Sequence, residues 1–191
     1  MILLIDNYDP HMREFYKFIS EEYSDTAVIR NDQITPEDIL ALSPQAVMIG
    51  SGNGSVQDTG VCKDLITLIL GKIPVLCLGL GAEVLGECLG IPFKNSSPSM
   101  KSVFNTGFDT SCRLFSGIPA ILPCSDDPAR TADAAMPGNT AVTARDEFGR
   151  CIAFADNEKN AFGLAVYPVF FGENGKKMIR NFVSLIDTNC E

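Results

Sequence analysis

Hydrophobic and polar positions follow two rhythms along this chain. Residues 1–5 form an unbroken apolar run that stops at Asp6, the pattern of a strand buried on both faces of a parallel sheet. Asp9 and Pro10 then read as the N-cap and first residue of a helix, with Phe15, Phe18 and Ile19 at helical spacing. Residues 27–29 give a second strand. Thr35-Pro36-Glu37-Asp38 is a helix start, with a capping hydroxyl, a proline at the first position and acids in the first turn. Residues 46–49 give a third strand that opens into Gly50-Ser51-Gly52-Asn53-Gly54. A helix over about 58–70 leads to a fourth apolar run at 75–78. Strands alternating with helices through short connections predict an α/β fold: an open, mostly parallel, flavodoxin-like sheet with helices on both faces.

After Gly90 the rhythm changes. Residues 141–144, 151–155 and 161–166 read as strands without long helices between them, and Gly149 marks a turn. They predict a small mixed-strand region beside the parallel sheet. Residues 125–139 are small, polar and proline-bearing and read as a mobile loop. A closing helix over 175–186 carries Met178, Ile179, Phe182 and Leu185. Without repeats or linkers, the 191 residues are expected to form a single domain, 1–191.

The stretch 73–90 organises the rest. The strand at 75–78 meets Gly79 and Gly81, and a helical pattern follows with Leu80, Val84, Leu85 and Leu89 on roughly one face. Strand, glycine turn and helix make a nucleophile elbow. They also make an anion cradle, because free backbone N–H groups point out of a helix start. A dinucleotide site is excluded by spacing, since Gly79-x-Gly81 is not followed by glycine three residues on, and Glu83 would repel a pyrophosphate.

Residues 74–86, Pro-Val-Leu-Cys-Leu-Gly-Leu-Gly-Ala-Glu-Val-Leu-Gly, resemble the nucleophile strand of class I glutamine amidotransferases. More narrowly they resemble the glutaminase subunit, component II, of anthranilate and aminodeoxychorismate synthases. The likeness extends over nearly the whole chain. It includes the opening Met-Ile-Leu-Leu-Ile-Asp-Asn-Tyr-Asp at 1–9, Arg30-Asn31-Asp32 with Thr35, the glycine loop at 50–54, residues 114–119, and Arg180-Asn181-Phe182. The resemblance implies that fold and, for an intact site, glutamine hydrolysis by a thiolate, a His base and an acid that orients it.

The implied catalytic positions hold other residues. Laid without a gap, the family's nucleophilic Cys falls on Gly79 and its substrate-holding Gln on Glu83. Its late Phe-His-Pro-Glu reads Val166-Tyr167-Pro168-Val169, so Tyr167 stands for the His and Val169 for the Glu. The one histidine, His11, is far from this site in sequence. Lys101 to Asn105 stand where the family has His-Gly-Lys-Thr-Ser against its synthase, and Asp127-Pro128-Ala129 where it has Tyr-His-Ser. No catalytic residue is therefore assigned. The expected pocket comprises Gly52, Gly54, Gly79, Leu80, Glu83 and Tyr167, with backbone N–H groups near Gly52 and Leu80 as an oxyanion cradle. The alternative is that these glycines only permit tight turns. Cys77 is the candidate for a relocated nucleophile, against a buried core thiol. Tyr167 as a base suits neutral pH poorly, since phenols titrate near 10, and Ser51 has no identifiable base.

Composition narrows the function classes. Hydrophobic residues are 46% and charged residues 20%, as in a soluble globular chain. A net charge of −9 argues against nucleic acid, since phosphates need Lys and Arg. The seven cysteines show no C-x-x-C spacing, and the opening apolar run is too short for a signal or membrane span. A cytoplasmic protein with reduced thiols is expected, with no cofactor, metal or membrane contact. The sequence thus points to a family member without its triad, acting as the non-catalytic partner or regulator of a component I-like synthase. The alternatives are a small-molecule binding protein that reuses the elbow, and an enzyme with a relocated nucleophile.

Overall fold

The computed structural model describes residues 1–97, 101–133 and 135–187. In chain order the first half contains β1 (Ile2–Asn7), α1 (Met12–Ser20), β2 (Thr26–Arg30), α2 (Pro36–Ala41), β3 (Ala46–Gly52), α3 (Cys62–Ile69), β4 (Val75–Leu78) and α4 (Leu80–Leu89). The second half contains β5 (Phe93–Asn95), β6 (Phe104–Phe108), β7 (Ile121–Cys124), β8 (Arg130–Ala132), β9 (Thr140–Asp146), β10 (Cys151–Asp156), β11 (Ala161–Leu164) and α5 (Glu173–Asp187).

Nine strands lie in the order β2-β1-β3-β4-β11-β10-β9-β6-β7, with β8 pairing with β5 and β10 off this path. Strands β2, β1, β3, β4 and β11 are mutually parallel, whereas β10, β9, β6 and β7 continue the sheet in antiparallel pairs. Strand β4 is central, between β3 and β11, as its apolar run requires. Its side chains alternate between the two cores that sandwich the sheet. Leu76 and Leu78 join Phe15, Ile19, Met178 and Phe182 from α1 and α5, while Val75 and Cys77 join Leu65, Ile69, Val84 and Leu85 from α3 and α4. Among the described residues no helix is long and apolar enough to cross a membrane.

Several elements differ from the sequence reading. Helix α1 starts at Met12 with His11 as N-cap, because Asp9 closes a turn first: its Oδ1 accepts the His11 N–H at 2.8 Å and its carbonyl the Met12 N–H at 3.1 Å. Helix α3 starts at Cys62 rather than near 58, since residues 56–58 form a separate 3-10 turn and Gly60 follows at φ 52°. The stretch 125–139 is not all loop. Thr131 faces inward, and β8 pairs with β5 and β10, contacts that a three-residue strand cannot announce by periodicity. Residue 134 of that stretch lies outside the described residues.

Two of the polar motifs are structural. Asn7 Nδ2 donates to the Gly50 carbonyl at 2.9 Å, and Asn31 Nδ2 donates to Asn7 Oδ1 at 2.9 Å. This buried amide pair ties the carboxyl ends of β1 and β2 to that of β3, which runs on through Gly50 to Gly52 rather than ending at 49. A buried, satisfied network of this kind fixes local geometry, because leaving any member unpaired costs its full desolvation. At the far end, Asn181 donates to the carbonyls of Leu114 and Ser116 at 2.9 and 2.8 Å, so two distant matching segments meet.

Candidate functional site

The site lies at the carboxyl end of β4. Gly79 adopts φ 51° and ψ −113°, a conformation that side-chain-bearing residues enter only under strain. Its N–H donates to the Leu164 carbonyl of β11 at 2.8 Å, and its carbonyl accepts the Glu83 N–H at 3.2 Å, so the turn is fixed on both sides. A strained elbow is therefore present at the end of β4, occupied by the one residue type that takes it without strain.

Ser51 fills the space beside it. A Cβ added at Gly79 would run into Ser51 Oγ and lie 2.7 Å from Ser51 Cβ. The Leu80 N–H, one of the two expected cradle donors, is given to Ser51 Oγ at 3.3 Å. The Ser51 N–H in turn donates to the Tyr167 hydroxyl at 3.1 Å, and the Tyr167 N–H donates to Asp126 Oδ2 at 3.0 Å. Tyr167 is 8% exposed and packs edge-on against Phe15, with ring centroids 5.2 Å apart. Elbow, glycine loop and tyrosine thus satisfy one another. In the sequence Ser51 is a hydroxyl without an identifiable base; its contact with the elbow is made across 29 residues and becomes visible only in three dimensions.

All six expected pocket residues, Gly52, Gly54, Gly79, Leu80, Glu83 and Tyr167, line one cavity of about 250 Å³. Asp126, Asp127 and Arg130 complete its wall. The resemblance had pointed to the segment at Asp127, which does line the cavity, whereas Asp126 and Arg130 lie in an irregular stretch after β7 where spacing carries no information. Glu83 Oε2 lies 2.6 Å from Arg130 Nη1, an ion pair by distance but outside hydrogen-bond geometry. Burial raises the Glu83 pKa against the opposing pull of Arg130. The Asp126 carboxyl is pushed up to about 6, mainly by burial and then by Asp127. Asp127 is itself paired with Arg150 at 2.7 Å.

The other expected positions fall elsewhere. Val169 lines a separate cavity of about 120 Å³ behind Tyr167, together with His11, Glu14, Phe15 and Phe170. The fold therefore brings His11 close to Tyr167 despite their separation in sequence, although its side chain stays 68% exposed. Cys77 is fully buried on the α3/α4 face of β4 and does not line the elbow cavity. Burial pushes its thiol pKa well above the ordinary value, the opposite of what a nucleophile needs.

The Asp126 carboxyl makes stability depend on pH. Its folded pKa is raised from 3.8 to about 6, so the folded state holds a proton that the unfolded chain releases. Stability contributed by this group should fall as pH rises from about 4 to 6, and the cost should be fully present above that window. Asp126→Asn keeps an acceptor for the Tyr167 N–H and removes the charge. It is expected to gain about 2 kcal/mol at pH 8, after allowance for solvent screening, and little at pH 4. Urea unfolding at both pH values checks this; an equal gain at both would mean that charge is not the cause.

This sheet order, elbow and glycine loop define a class of protein, and sequence comparison agrees. The chain belongs to the class I glutamine amidotransferases, whose family model matches residues 3–185. It is 28% identical over 185 residues to aminodeoxychorismate/anthranilate synthase component 2 of Bacillus subtilis, covering 96% of this chain and 95% of that one. It is 27% identical over 190 residues to the bifunctional protein TrpGD of Thermotoga maritima, covering 97% of this chain but only 32% of that longer protein. In structure it resembles a "putative gmp synthase subunit a protein" of Thermoplasma acidophilum, with a TM-score of 0.84, 16% identity and coverage of 98% and 94% of the two chains. That likeness concerns the fold alone.

Proposed function

We propose that this chain is a non-catalytic member of the family that serves as the partner or regulatory subunit of a component I-like synthase. The observation that carries the reading is the elbow itself: Gly79 offers no nucleophile, and the Ser51 hydroxyl fills the adjoining space and holds the Leu80 N–H. Tyr167 and Val169 supply neither a base near neutral pH nor an acid to orient one. The partner follows from relatives named as component 2 of aminodeoxychorismate and anthranilate synthases. Mixing the chain with the component I-like synthase of its own organism tests this by gel filtration. The two are expected to co-elute, with ammonium-dependent synthase activity intact and no glutamine-dependent activity added. Separate elution at micromolar concentrations would remove the partner role.

A further inference from the structure

We propose that two copies of this chain associate through the free edge of β2, by antiparallel pairing about a two-fold axis at Val28. Among the described residues β2 is hydrogen-bonded to a strand on one side only, to β1. Sheets blunt such edges with a bulge, a proline or a lysine, because the unpaired groups are a template for another strand. The opposite end of the sheet carries one of these devices, Pro123 in β7. Strand β2 has no proline, lysine or register shift, and Val28 at its middle is 38% exposed.

The ladder fixes which groups of β2 are free. The Ile2 N–H donates to the Asp25 carbonyl at 2.8 Å, and the Asn31 N–H to the Asp6 carbonyl at 3.1 Å. Successive residues of a strand turn their backbone groups to opposite sides, so Ala27 and Ile29 also face β1, while Thr26, Val28 and Arg30 face outward. Two of these outward groups are used locally. The Thr26 N–H donates to the Ser24 carbonyl at 2.9 Å, and the Arg30 carbonyl accepts the Gln33 N–H at 3.1 Å. The Thr26 carbonyl, both groups of Val28 and the Arg30 N–H have no partner among the described residues.

This set is complementary to itself. In an antiparallel pair centred on Val28, the two copies of Val28 exchange both bonds, and Arg30 of one copy stands opposite Thr26 of the other. Each Arg30 N–H then meets a free Thr26 carbonyl. The groups already used, the Thr26 N–H and the Arg30 carbonyl, are the ones that would face each other, so neither copy leaves an orphan. A strand of unrelated sequence would have an acceptor unpaired opposite Thr26 and a donor unpaired opposite Arg30, which favours the second copy. Side chains follow the same symmetry. Val28 meets Val28 on one face. On the other, Ala27 meets Ile29, and both already pack on the α3/α4 core, which the pairing extends across the axis. The contact is short and each chain carries a net charge of −9, so the dimer is weak and tightens as salt screens the repulsion. It does not involve the elbow, so it can fail while the proposed subunit role stands.

Sedimentation equilibrium and amide hydrogen exchange of the full chain, from micromolar to half-millimolar concentration, test this. The average mass is expected to rise from that of one chain towards that of two, more readily in 0.5 M than in 0.05 M salt. Exchange at the Val28 and Arg30 N–H groups should slow by about threefold once two-thirds of the chain is paired, with the Thr26 N–H unchanged. Val28→Lys sets two ammonium groups against each other across the axis, and Val28→Pro removes a donor that the single chain does not use. Both should stay monomeric throughout. Ile121→Lys, at a 65% exposed position on the far edge, should associate like the unmodified chain. Three results would each overturn the proposal: an unmodified chain still monomeric at half-millimolar, association retained in both Val28 variants, or association lost in Ile121→Lys. Val28→Lys leaves its side chain in solvent, so it decides even where Val28→Pro impairs folding.

Discussion

Gly79→Ala is expected to destabilise the protein by about 3 kcal/mol. Two costs add. Alanine would be held at φ 51° and ψ −113°, a strain of about 1–3 kcal/mol. Its Cβ would also meet Ser51, whose Cβ lies 2.7 Å away, so rotation of the hydroxyl alone cannot clear the space, and overpacking of this kind costs about 1–3 kcal/mol. The second cost can be isolated. Ser51→Gly removes the obstructing atoms, so the double variant should recover about 1 kcal/mol or more relative to additivity. Urea unfolding of the four proteins completes the cycle. A loss below 1 kcal/mol for Gly79→Ala would show that the elbow is relaxed and would undercut its correspondence with the family's nucleophile.

The second large effect concerns activity. Gly79→Cys alone should hydrolyse no glutamine, for two reasons. Ser51 obstructs the new side chain and occupies the Leu80 N–H, and no side chain at 167 takes the thiol proton near neutral pH. Adding Tyr167→His and Val169→Glu supplies base and orienter but leaves Ser51 in place. Only the set that also carries Ser51→Gly restores nucleophile, base, orienter and a free donor together. Members of a triad act as a unit, so partial sets are expected to remain at background. The full set should exceed Gly79→Cys by tenfold or more, well short of the roughly 10⁶-fold that an intact triad contributes, since Glu83 and the segment 126–130 remain altered. Ammonia release measured across the series checks the order. Activity in Gly79→Cys alone would mean that Ser51 is no obstacle.

Much of the scaffold was legible because its physics is local. The apolar runs of β1 and β4, the Thr35-Pro36 helix start and the glycines after β4 each state their geometry within a few residues, and Thr35 and Asp38 do form the reciprocal cap. Strands β5 to β8 were missed for the opposite reason. They are three to five residues long and mix Lys, Asn, Arg and Pro with apolar residues, so their pairing is set by the strands they meet. The site divides in the same way. Gly79 and Gly52 could be placed from the motif, whereas the Ser51–Leu80 contact, the approach of His11 to Tyr167, and the places of Asp126 and Arg130 in the segment after β7 depend on chain crossings. Cys77 shows the limit of proximity in sequence: two residues from the elbow, its side chain is buried in the α3/α4 core and does not reach the cavity.

The central claim is most directly tested by assaying the unmodified chain, purified free of other glutaminases, for ammonia release from glutamine, alone and with its candidate synthase, alongside Cys77→Ser. On the proposed reading, a site without nucleophile, base and orienter keeps binding effects alone, at most on the order of 10³-fold over the uncatalysed reaction, below what such an assay detects. The expected result is a rate equal to the buffer blank for both proteins, with and without the synthase. Glutamine-dependent ammonia release by the unmodified chain, abolished in Cys77→Ser, would contradict the account and make Cys77 the nucleophile.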